Sequence, residues 1–202
     1  MELEDMRFIV NIPFEYRLDI RDDEEDDNVI ASNISQEILE YLTAKIESMG
    51  GNIKTIYSPD ISQTYKDACE LGANLFISSR VIAKPEKEYN WSAVQFFMED
   101  TGTSLGIASC LVNRLDKMKC DFQENTPLFT KSLSKEESCG VKRSDSIPSM
   151  ILALCLGYTG LSDYNADKDS FLNQLVDSML YSITDNLCSE SIYDIDLREY
   201  AD

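Results

Sequence analysis

The chain has 202 residues, 43% of them hydrophobic, which suffices for one domain with a sizeable core and argues against disorder. Its 37 acidic against 18 basic residues give a net charge of −19, a surface that repels nucleic acid and anionic membrane because phosphate binding needs clustered Lys and Arg. It contains no histidine, which removes the commonest zinc ligand, the commonest general base and every Ser-His or Cys-His pair.

The N-terminal Met-Glu-Leu-Glu-Asp is acidic where a secretory signal would be basic and then apolar. No apolar run approaches the roughly 20 residues that span a bilayer, so a cytoplasmic location is expected. Arg7–Ile12 (RFIVNI) reads as the first strand, closed by Pro13. An acidic loop over 20–28 follows, with consecutive carboxylates from Asp22 to Asp27 that repel one another into solvent. A calcium site there would need a turn Gly and spaced ligands, and the run has neither.

From Asn33 to Met49 the pattern is helical, with Ile34, Ile38, Leu42, Ile46 and Met49 on one face. Ser32 or Asn33 would cap its start, and Gly50-Gly51 would stop it. Asn52–Tyr57 is a second strand and Ser62–Leu71 a short helix. Leu75-Phe76-Ile77, behind a Gly-Ala-Asn turn, marks a buried central strand over Asn74–Ser78. The abrupt change to Ser78-Ser79-Arg80 places Arg80 at the strand's carboxyl end, where open α/β sheets carry their chemistry.

Ala83–Asn90 reads as a polar loop around Pro85, and Trp91–Met98 as a strand. Thr103–Met118 is predicted helical with Leu105, Ala108, Leu111, Val112 and Leu115 inward. Pro127–Thr130 reads as a short strand, Lys131–Arg143 as surface loop, and Ile147–Tyr158 as the last buried strand. Asp167–Leu187 is the closing helix, and 189–202 an acidic tail. Cys69, Cys110, Cys120, Cys139, Cys155 and Cys188 are scattered without a C-x-x-C pair, so buried free thiols of a reducing compartment are expected, not a disulfide framework. Alternating strands and helices predict an α/β fold: a single three-layer domain over 1–188, with a mostly parallel central sheet of about six strands flanked by helices.

In this order the elements resemble the zinc-dependent N-acetylmuramoyl-L-alanine amidases, peptidoglycan-cleaving enzymes with a six-stranded α/β fold. GANLFISSRVIA, from Gly72 to Ala83, is similar to the family's G-A-D-L-F-I-S-I-H-A-N-A, whose histidine is a zinc ligand. PSMILALCLGYTGLSD, from Pro148 to Asp163, is similar to P-A-V-L-V-E-L-G-F-L-S-N, whose glutamate is catalytic. RFIVNIPF stands where the family has a strand ending in D-P-G-H, and ASNISQEILEYL resembles its N-L-A-x-x-L-A-x-x-L helix. The resemblance spans Arg7 to Leu187.

The family holds zinc with two histidines and a glutamate, leaves one position open for an activated water, and uses a second glutamate for proton transfer. Carried over, the first histidine falls on Phe14, the ligand glutamate on Val29 and the second histidine on Arg80. The catalytic glutamate falls on Cys155 when the Gly-aromatic pair is matched, or on Ala153 when the proline is matched. Phe and Val have no lone pair to donate, and Arg stays protonated. The resemblance thus implies an amidase-like domain with no metal and no cofactor, a degenerate site at Phe14, Val29, Arg80 and Cys155, and a role as a binding or structural module. Its partner would be a protein or a peptidoglycan-like peptide, with no nucleic acid and no membrane.

Three rescues compete with that reading. Asp27 would swing toward the site as a lone carboxylate, which does not make a zinc centre. Cys155 would act as the nucleophile of a displaced hydrolase site with Arg80 and loop carboxylates, although no histidine exists to activate it. Asp163, Asn165, Asp167 and Asp169 alternate like a calcium loop, but Lys168 stands where Gly is needed, so they are expected to cap the last helix. Arg80 itself is either paired structurally with a carboxylate or lines the groove as an anion-binding guanidinium.

Overall fold

A computed structural model of the chain describes residues 3–13, 27–84, 91–98, 102–115, 128–132, 145–157 and 164–188. Phe14, Asp22 to Asp26, Cys120, Cys139, Asp163 and the 189–202 tail lie outside the described residues. The elements are β1 (Arg7–Ile12), α1 (Asp27–Ser48), β2 (Asn52–Tyr57), α2 (Ile61–Glu70), β3 (Leu75–Lys84), β4 (Trp91–Phe97), α3 (Gly102–Leu115), β5 (Leu128–Ser132), β6 (Ser149–Gly157) and α4 (Lys168–Leu187). They form the expected α/β domain.

The sheet has six strands in the order β2-β1-β3-β6-β4-β5. The first four run parallel; β4 and β5 are parallel to each other and antiparallel to β6. Strands β1, β3 and β6 therefore lie side by side and parallel. On one face, α1, α3 and α4 pack over Phe8, Val10, Leu75, Ile77, Leu152 and Leu154. On the other, Tyr65 and Ala68 of α2 cover Ile9, Phe76 and Ile151. Alternate residues of β1, β3 and β6 face opposite layers, as the strand period demands.

Local chemistry sets the turns. The Asp60 side chain accepts the Gln63 N–H at 2.9 Å and caps α2. Gly72, at φ +63°, ends that helix in the left-handed conformation, and the Ala73 N–H closes on the Ala68 carbonyl at 3.1 Å. Ile34, Ile38, Leu42 and Ile46 of α1 are fully buried, each worth roughly 1.5–3 kcal/mol of transfer free energy. Asp167 caps α4 through the Ser170 N–H at 3.4 Å, and Asp169 accepts the Tyr41 hydroxyl at 3.1 Å. No helix among the described residues is long and apolar enough to cross a membrane.

Several boundaries differ from the sequence reading. Helix α1 begins at Asp27, six residues before Asn33. Carboxylates favour a helix N-terminus, and Asp27, the last of the acidic run, is the first residue of the helix. Strand β3 does not end at Ser78 but runs to Lys84, because β6 pairs with it from Phe76 to Lys84. On α3 the inward stripe is Ser104, Ile107, Ala108, Leu111 and Leu115; Leu105 is 40% exposed and Val112 half-buried. Ser104 belongs inward because its Oγ accepts the buried Ser149 N–H at 3.0 Å. The four described cysteines, Cys69, Cys110, Cys155 and Cys188, are half-buried and not buried as the sequence suggests.

Candidate functional site

The connections define where a cleft must lie. The chain leaves β1, passes through α1 and returns as β2 on one side; it then passes through α2 on the opposite face and returns as β3 on the other side of β1. Strand order reverses between β1 and β3. In an open α/β sheet the crevice outside the carboxyl ends at such a reversal is the binding position.

β1 stops at Ile12, one residue after Asn11 pairs with Ser78, whereas β3 continues to Lys84. Asn11, Ser78 and Arg80 share the α2 face, and Arg80 is the first residue of β3 on that face past the end of β1. Asn11 and Ser78 are fully buried, while Arg80 is exposed. The Asn11 Nδ2 donates to Ser78 Oγ at 3.4 Å, and Asn11 Oδ1 is buried without a partner.

Cys155 lies on the same face. Arg80 pairs with Ala153 and Ile82 with Cys155, which puts Cys155 diagonally across from Arg80 at about 8 Å between Cα atoms by the ordinary strand spacings. Helix α2 covers only the amino-terminal half of this face; beyond Ile151, Ala153 and Cys155 are half-buried. On the opposite face Ser79 is buried with an unpartnered Oγ, and the Val81 N–H donates to Ser35 Oγ of α1 at 2.7 Å. Ser35 thus supplies the acceptor that β1, already ended, does not.

The structure brings two sequence-derived candidates together, Arg80 and Cys155, with Ala153 as Arg80's register partner. Val29 falls in the first turn of α1, Asp27 is that helix's first residue, and Phe14 lies outside the described residues. Arg80 is not at the end of its own strand, as its polar neighbours suggest, but at the end of β1. Asn11, Ser35 and Ser79 were legible only as polar interruptions of apolar segments.

Two other charged features lie on the far face. Glu37 accepts from the Tyr164 hydroxyl and from Lys168 Nζ at 2.5 Å, and Lys45 pairs with Asp177 at 2.5 Å. Burial first, then the bond to Glu37, pushes the Tyr164 hydroxyl well above the usual tyrosine range. These contacts join α4 to α1. A shallow groove of about 510 Å³ runs between α3 and α4, where the Arg114 guanidinium stacks 3.1 Å above the Tyr181 ring.

No protein-family model and no curated protein sequence matches the chain. Solved structures do match in fold. The N-acetylmuramoyl-L-alanine amidase AmiC2 of Nostoc punctiforme superposes with a TM-score of 0.64 at 11% identity, over 91% of this chain and 97% of that one. The N-acetylmuramyl-L-alanine amidase Ami1 of Mycobacterium smegmatis gives 0.64 at 12% identity, over 94% and 100%. The CwlD amidase of Clostridioides difficile, solved in complex with the GerS lipoprotein, gives 0.60 at 17% identity, over 91% and 99%. The chain has the amidase fold.

The resemblance to the zinc-dependent amidases implies a zinc ion, and the described residues Asn11, Ser78 and Arg80 do not fit one. Asn11 and Ser78 offer neutral oxygen and nitrogen, and Arg80 sets a fixed positive charge beside them. Among the described residues no three of Cys, Asp and Glu gather closely enough to hold a metal ion.

Proposed function

We propose that this chain is a non-catalytic domain on the amidase fold, acting as a binding or structural module for a peptidoglycan-type peptide or a protein partner. One observation supports the reading: the exposed Arg80 follows the end of β1 at the strand-order reversal, and the family resemblance sets a metal ligand at this residue. A permanent cation opposes a dication there, yet it suits an anionic group. The exposure of Arg80 and the partial opening of the face around Ala153 and Cys155 support access by a ligand. The scattering of the six cysteines without a C-x-x-C pair agrees with a reducing, cytoplasmic setting.

The test is metal analysis of the purified chain joined to a peptidoglycan hydrolysis assay with added zinc. The reading expects substoichiometric zinc and no amide cleavage. Stoichiometric zinc with cleavage rejects it.

A second reading, an active cell-wall hydrolase with a displaced site, draws on Cys155 sharing a half-open face with Arg80. Thiol-directed labelling separates the two. Cys155 reacting no faster than the other five cysteines favours the binding module; selective reaction coupled to loss of a hydrolytic activity favours the enzyme.

A further inference from the structure

We infer that the crevice at the ends of β1 and β3 recognises the C-terminal carboxylate of a peptide, with Arg80 holding the carboxylate and Asn11 taking the terminal residue's N–H. This rests on the binding-module reading and names its ligand. Three independent observations converge on it. The strand order reverses between β1 and β3, and in open α/β sheets that reversal is where ligands bind. The first residue facing α2 beyond the end of β1 is an exposed arginine, whose planar fork matches a carboxylate with two parallel hydrogen bonds. On the same face, one register step back, the fully buried Asn11 keeps an acceptor without a partner.

An orphaned buried acceptor beside a cation is the complement of a donor beside an anion. A peptide terminus has that form, because the last residue's N–H lies next to the carboxylate. Ser78 and Arg80 are about 6.6 Å apart along the strand, a span one terminal residue covers. Asn11 lies deeper than Arg80, so in the bound complex a bridging water would carry the N–H's hydrogen bond to it. Arg80 also interacts within the chain, but a guanidinium has several N–H donors, enough for an intramolecular contact and a carboxylate together. A free carboxylic acid without an adjacent N–H satisfies only half of the site.

The experiment titrates the full chain with acetyl-Ala-Ala, its C-terminal amide, and acetate, followed by heteronuclear NMR. Expected are saturable shifts in β1 and β3 with the free peptide, and affinity at least tenfold weaker for both the amide and acetate. Arg80→Gln abolishes the response, Arg80→Lys weakens it by losing the fork, and Asn11→Leu brings the peptide down to the level of acetate. Equal binding of peptide and amide, or no saturable shift with the free peptide, overturns the proposal; acetate binding as well as the peptide shows a simple anion site and overturns it too. If Arg80→Gln fails to fold, the peptide–amide comparison on the wild-type chain decides alone. Zinc-dependent hydrolysis of peptidoglycan would instead overturn the binding-module reading, whatever the titration shows.

Discussion

Ser35 Oγ accepts the Val81 N–H at 2.7 Å, and this single bond from α1 closes the edge that β3 exposes when β1 ends. Both residues are buried, so no solvent substitutes for the hydroxyl. The bond holds β3 in extended form through Arg80, and the position of the guanidinium follows from it. Ser35→Ala leaves the N–H orphaned at a cost of about 1–3 kcal/mol. Urea denaturation checks this, and Ser35→Thr, which keeps the acceptor, is expected to recover part of the loss.

Asn11 behaves oppositely. Its Oδ1 has no partner, and its Nδ2 makes only a long bond to Ser78. Asn11→Leu is therefore expected to leave stability within about 1 kcal/mol of wild type or raise it, since it removes an unpaired buried polar group. A loss above about 2 kcal/mol, read from the denaturation midpoint and slope, would mean that the amide is satisfied in solution.

Gly51 and Gly72 are glycine for different reasons. A Cβ on Gly51 would sit 2.5 Å from Ile46 Cγ2 and 3.1 Å from Phe8 Cε2, both in the core. Gly72 has open space around it, but its φ is +63°. Alanine at Gly51 is expected to cost about 1–3 kcal/mol by overpacking, and alanine at Gly72 about 1 kcal/mol by backbone strain. Asparagine separates them: it is tolerated at 72, where the left-handed region suits it, and worse than alanine at 51. Thermal melts of the four variants give the comparison.

The seam between α1 and α4 sets an alkaline limit. Burial and the hydrogen bond to Glu37 raise the Tyr164 hydroxyl above its unfolded value, and the bond to Glu37 raises Lys168 as well. For both groups the folded state binds its proton more tightly, so their contribution is intact below the unfolded pKa, near pH 10, and falls as pH rises beyond it. Tyr164→Phe is expected to cost about 1 kcal/mol at neutral pH and to flatten the loss of stability as pH rises above about 10. Unfolding midpoints measured across that window test it; an alkaline limb as steep as wild type would show that Tyr164 does not carry it.

Much of the fold is written in local pattern. RFIVNI and NIKTIY bound β1 and β2 to the residue, because a short apolar or alternating run between turn signals has few other readings. The α1 stripe and the Asp167 cap are equally local. The end of β3 is not: Ser78 and Ser79 look like surface, and only pairing with β6 makes them core. The same holds for Ser104, whose inward place depends on the Ser149 N–H that it meets across the fold. Arg80 was legible as a candidate from its abrupt polarity. Asn11 was not, since one asparagine in an apolar strand carries no signal until its partnerless amide is seen beside the crevice.

The central claim is that the crevice between β1 and β3 presents a cation where this fold's hydrolases hold a metal. Anomalous scattering at the zinc edge, from crystals grown with excess zinc, examines it directly. Expected is no zinc peak within about 2.0–2.3 Å of any side chain at the crevice, with the Arg80 guanidinium filling that space. A fully occupied zinc ion with protein ligands beside Arg80 would contradict the account.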